Sequence, residues 1–151
     1  MKIASALLVT IVATFMVSCS GSSEAKTRKE QESEFTKAFG FSPSTTITTI
    51  NYADLYNRGI MDGAYGQWLS FSFEQASFDR IILGGYKAEQ YSDIPNGGAS
   101  PAWWPKTIPK GTVIFSRSQD DTPTDEGFQF REYIWYDSAS GFVFFHKNYW
   151  D

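Results

Sequence analysis

The stretch FQFREYIWYDSASGFVFFHKNY, residues 128–149, decides the fold. Two aromatic runs, 128–136 and 142–149, flank Asp137-Ser138-Ala139-Ser140-Gly141. Aromatic and β-branched residues favour strands, and a short polar connection containing glycine reads as a hairpin. In the first run Phe128, Phe130, Ile134 and Tyr136 share one face, against Gln129, Arg131, Tyr133 and Trp135 on the other. Glu132 interrupts the apolar face and predicts a sheet edge or a bulge.

Working outward, residues 65–73 alternate cleanly, with Leu69, Phe71 and Phe73 set against Ser70 and Ser72. This pattern predicts a strand with its aromatic face inward. Residues 112–117 read as another, with Val113 and Phe115 on one face. Six consecutive β-branched residues, Thr45 to Ile50, predict a strand over 44–51, followed by a short helical turn around 53–58. Two segments have helical spacing instead. Phe35, Ala38 and Phe39 stand at i, i+3 and i+4 before Gly40, which predicts a helix over 25–39. Phe78, Ile81 and Ile82 precede Gly84-Gly85 and predict a short helix over 74–83. The class that follows is α+β, an antiparallel sheet of about five strands with one or two helices on one face.

Residues 86–111 resist both patterns. Pro95, Pro101, Pro105 and Pro109 fall within them, and prolines at this density exclude helix and central strand. Trp103 and Trp104 sit among these prolines. Long loops in compact domains are uncommon and are often functional. Tryptophan is also enriched in interface hot spots. Trp103 and Trp104, with Trp135 on the hairpin, are therefore the candidate binding residues. The competing expectation for the loop pair is that both indoles fold back and close the core.

The amino-terminal residues read as an address. Lys2 is followed by an almost wholly apolar run, Ile3 to Val17, and then by small polar residues. A positive start, a short apolar core and a small-residue exit make a secretory signal peptide. The run is shorter than the ~20 residues that a helix needs to cross a bilayer. Met16-Val17-Ser18-Cys19 resembles the lipobox of bacterial lipoproteins, and Cys19 is the single cysteine of the chain. The resemblance implies a diacylglycerol on the Cys19 thiol and cleavage before it. Ser20 is compatible, in that family, with export to the outer membrane. It covers only the leader and Cys19 and implies nothing about the domain. The division expected is a leader 1–18, a polar linker 19–33 and one α+β domain 34–151.

Composition narrows the function. Cleavage before Cys19 removes 18 of 151 residues and takes Lys2 with it, so the formal charge moves from −4 to −5. An acidic balance argues against nucleic acid. No second cysteine is present for a disulfide, so the domain must stand on its core. Five Trp, eight Tyr and thirteen Phe supply one amply.

The chain offers little to catalysis. His146 is the only histidine, and a zinc site needs three or four ligands. By alternation His146 shares a face with Phe144 and reads as a packed strand residue. There is no Gly-x-Ser-x-Gly elbow and no phosphate-binding glycine loop. Asp120, Asp121, Asp125 and Glu126 cluster without the spacing of an EF-hand. No metal, cofactor or enzymatic activity is therefore expected. The expected function is that of a lipid-anchored periplasmic binding module, probing an envelope protein or neutralising a toxin. A structural envelope lipoprotein is the alternative, and a cell-wall or glycan hydrolase the third reading. The hairpin from Ile134-Trp135-Tyr136-Asp137 to Gly141-Phe142 is similar to that of many small exported bacterial domains, a likeness that names no activity.

Overall fold

The computed structural model describes residues 21–56, 65–89, 100–118 and 129–150. The leader, Cys19 and the acidic residues 120–126 lie outside them. The described strands form one antiparallel sheet of seven. In chain order they are β1 (Gly21–Glu24), β2 (Ile50–Tyr56), β3 (Tyr65–Ser72), β4 (Lys87–Glu89), β5 (Ile114–Ser118), β6 (Gln129–Asp137) and β7 (Phe142–Trp150). Their spatial order is β1-β2-β3-β7-β6-β5-β4. Two meanders, one from each half of the chain, thus join where β3 pairs with β7. Two helices, α1 (Arg28–Phe39) and α2 (Gln75–Ile82), cover one face.

The α+β class is as expected, with seven strands rather than about five. The two extra strands are the edges, β1 and β4. Both are short and polar, as edge strands tend to be, and so lack the apolar alternation that marks the others. β1 corrects the linker reading: Gly21 to Glu24 pair with Tyr56 to Ala53. The helix begins at Arg28, later than expected, because Thr27 caps it. The Thr27 hydroxyl accepts from the Glu30 amide, and the Glu30 carboxylate accepts from the Thr27 amide at 2.9 Å. Gly40 ends the helix with φ 75°, the left-handed conformation that glycine adopts without penalty.

The β-branched run is a second correction. Residues 45–49 are not strand, and β2 runs through the segment expected to form a helical turn. Their backbone groups find partners elsewhere. The Arg28 guanidinium donates to the Ile47 and Thr48 carbonyls at 2.7 and 3.1 Å. The Thr48 amide donates to the Ser72 hydroxyl at 3.0 Å. Ile47 is left fully buried as a plug between helix and sheet.

The helix-side core holds Phe35, Ile50, Leu69, Phe71, Ile81, Ile134, Val143 and Phe145. Phe35 packs edge-to-face on Phe39, Phe41 and Phe71, and Phe39 does the same on Phe145. The other face is buried too, which the single inward face of the sequence reading did not include. Ile114, rather than Val113, enters it, and Val113 stays 55% exposed.

Glu132 needs the third correction. It lies in an unbroken register on β6, between β5 and β7, at neither an edge nor a bulge. It is 1% exposed. Its Oε2 accepts from the Tyr86 hydroxyl at 2.6 Å and from Arg117 Nη2 at 2.6 Å, and Lys147 Nζ lies 3.1 Å from Oε1. A buried carboxylate is tolerable when it is paired and hydrogen-bonded in this way. Burial, and then the Glu132 charge, push the Tyr86 phenol far above its ordinary range, so it stays a donor.

Candidate functional site

The face opposite the helices brings the candidate residues together. One register row crosses Trp68, His146, Tyr133 and Ser116, and the next crosses Ser70, Phe144, Trp135 and Ile114. The His146 ring lies nearly parallel to Trp68 at 4.7 Å and to Tyr133 at 6.5 Å. Trp135 stacks on Phe144 at 5.6 Å. Strand pairing sets this platform, because residues directly opposite in neighbouring strands are the ones whose side chains meet.

A strap, residues 100–113, lies across it. Trp104 stands on edge against Trp135 at 5.2 Å and Phe144 at 5.5 Å, with His146 at 6.0 Å. Trp103 meets Trp104 at 5.9 Å. All three candidate tryptophans therefore share one cluster, with Ile108 and Phe142 at its margin. Their exposures separate them. Trp135 and Trp104 are 1% and 6% exposed, so both are buried within the cluster. Trp103 is half-buried. Neighbouring residues in an irregular segment point in different directions, so one indole seats the strap and the other stays partly open.

Among the described residues, no hydrogen bond joins the strap to the sheet. Its backbone bonds are internal, from Trp104 to Pro101 at 3.0 Å and from Thr112 to Pro109 at 3.1 Å. Among the described residues, apolar packing seats it. Beneath it two buried nitrogens have no hydrogen-bond partner among the described residues, Trp135 Nε1 and His146 Nε2. Each such group costs about 1–3 kcal/mol. Burial holds the His146 imidazole neutral, with its pKa down to about 4.

The rim is polar. Arg131 Nη2 donates to both Glu89 oxygens, at 3.0 and 3.2 Å, and its guanidinium lies 5.3 Å over the Tyr133 ring. The Ser116 hydroxyl donates to Glu89, and this bond, ahead of Arg131, holds the Glu89 carboxyl below its usual range. The sequence reading missed Trp68, Tyr133, Arg131 and Glu89. Parity was the available signal for Tyr133 and Arg131, which share the β6 face of Trp135.

This face carries stacked rings, a neutral imidazole and a charged rim. Among the described residues no three histidine, cysteine or acidic side chains gather as metal ligands would. No described helix is long and apolar enough to cross a membrane. No family model, curated protein or solved structure matches the chain.

Proposed function

We propose that the protein is a lipid-anchored binding module of a bacterial cell envelope, and that it recognises another protein through the strap. The strap itself carries this reading. It presents a half-buried indole, Trp103, on a segment that, among the described residues, is held to the sheet by apolar packing. Such a segment adjusts to a partner without breaking a hydrogen-bond ladder, and tryptophan is the residue type richest in binding energy.

The register adds an orientation. Gly21 pairs with Tyr56 at the end of the sheet where Tyr65, Tyr149 and Phe130 also align. Cys19 precedes it by two residues, which span at most about 7 Å. A lipid on Cys19 holds that end against the membrane. Trp104 sits over the Phe144–Trp135 row, several residues further along the strands. The strap is thus carried clear of the anchored end.

The test uses the full gene in a bacterial host. Cys19→Ser loses acyl label and membrane association. Trp103→Ala keeps the melting temperature of the parent and loses a protein recovered by cross-linking from envelope extract. Undiminished acylation of Cys19→Ser refutes the anchor, and unchanged recovery by Trp103→Ala refutes the strap as the contact surface.

A further inference from the structure

The seat of Trp104 is more polar than the indole that fills it. That indole stands at 83° to Trp135, 84° to Phe144 and 65° to His146. Trp135 Nε1 and His146 Nε2 are the two buried nitrogens without a partner among the described residues. Both residues are more than nine-tenths buried, at 1% and 3% exposed. They lie in adjacent rows of neighbouring strands, since Trp135 pairs with Phe144 and Tyr133 with His146. One indole therefore covers both rings, and neither nitrogen is satisfied. Buried polar groups are paired as a rule, and each exception calls for an explanation. The cover is also separable. Among the described residues the strap makes no hydrogen bond to the sheet, so it can lift without breaking one.

We infer that this seat is a binding site for an uncharged saccharide, which enters as the strap lifts and takes the place of the Trp104 indole. Three features of the seat select that chemistry. The indole nitrogen of Trp135 only donates, whereas Nε2 of a neutral imidazole donates or accepts according to its tautomer. A hydroxyl group does both, so a pair of hydroxyls satisfies the two nitrogens in either tautomer. The rings meet near right angles, so the seat offers aromatic faces as well as edges. Such faces carry partial negative charge, which suits the C–H bonds of a sugar ring. A mostly apolar lining with a few placed polar groups is the usual make-up of a small-molecule site. Charge is excluded for want of a partner. The buried residues of the cluster are Trp, Tyr, Phe and Ile, and at the rim Arg131 and Glu89 are paired with each other. The inference depends neither on the lipid anchor nor on a protein partner, because it concerns the floor beneath the strap.

The experiment is an NMR titration of the full chain in dodecylphosphocholine, a detergent without a sugar headgroup. His146 is the only histidine, so an isotope label confined to histidine reports its ring nitrogens without ambiguity. A second label, in tryptophan, reports the Trp135 indole N–H, assigned by its proximity to the Phe144 ring. Glucose, galactose and N-acetylglucosamine are the probes. At least one of them should move His146 Nε2 and Trp135 Nε1 together, to saturation at a single midpoint. Glucuronate, which brings a charge, should bind more weakly than glucose. His146→Phe keeps a ring in the stack and removes the nitrogen. It should weaken binding of the same sugar about tenfold, the loss of one hydrogen bond. The parent titration decides the matter even if that variant does not fold. No saturable shift with any of these sugars overturns the inference, as does a shift at one nitrogen alone. Equal binding by a folded His146→Phe, or by glucuronate, overturns it too. Saturation by indole but by no sugar would give the seat to an aromatic group instead.

Discussion

Gly66 decides how Trp68 lies. A Cβ at Gly66 would stand 2.3 Å from Cη2 of the Trp68 indole and 2.6 Å from Cζ3. The two residues are two apart on β3, on the same face, so the indole folds back over the space that the glycine leaves. His146 closes the other direction with its stacked ring. Gly66→Ala must therefore displace a buried indole against a packed neighbour. The expected loss is about 1–3 kcal/mol, as for other overpacked sites. Chemical denaturation measures it, and a double-mutant cycle identifies its cause. On a Trp68→Leu background the same glycine substitution should cost much less. An equal cost on both backgrounds would place its origin in the backbone rather than in the indole.

Elements whose determinants are local were legible, and those whose determinants are distant were not. Phe35, Phe39 and Gly40 mark α1 within a few residues of one another. Leu69, Phe71 and the serines between them mark β3 in the same way. Thr27 and Glu30 also form a capping box in plain sequence, and reading it would have placed the start of the helix correctly. Thr27→Ala should cost about 1 kcal/mol and Thr27→Ser almost nothing. The urea midpoint should fall for the alanine variant with an unchanged slope. An alanine variant as stable as the parent would show that the cap does not hold this helix end. The run 45–49 behaves otherwise. Its intrinsic preference is for strand, yet its carbonyls are claimed by Arg28 and its amides by Ser72, 19 to 24 residues away. Glu132 likewise looked like an edge residue because its partners, Arg117 and Tyr86, stand 15 and 46 residues distant. No local pattern carries such pairings. The candidate site divides along the same line. Trp103, Trp104 and Trp135 could be picked out singly, but the platform that unites them exists only once β3, β7 and β6 are in register.

At the scale of the whole molecule the sheet is buried on both sides, and one consequence is that acid acts on it through His146. The helices cover one face, and the strap with its tryptophans covers the other. His146 lies on the strap face, 3% exposed, stacked between Trp68 and Tyr133. Burial lowers its pKa from 6.5 to about 4. The sign follows directly. Below pH 6.5 the unfolded chain binds a proton that the folded chain refuses, so stability is complete above pH 6.5 and falls as the pH drops toward 4. Four carboxylates act at lower pH. Glu30, Glu74, Glu89 and Asp137 are all held below their ordinary values of 4.5 or 3.8, chiefly by hydrogen bonds, and they lose stability only as the pH falls through that range. Between pH 6.5 and 5 His146 therefore contributes a slope that these four do not. Linkage gives a loss of about 2 kcal/mol between pH 7.5 and 5. Urea unfolding at pH 7.5, 6 and 5 should show it in the parent. His146→Phe keeps a ring between Trp68 and Tyr133 and removes the titrating nitrogen, so its stability should be nearly level across that window. A variant that loses as much as the parent would mean that the acid sensitivity arises elsewhere, and that the strap face does not exclude water from His146 as its burial implies.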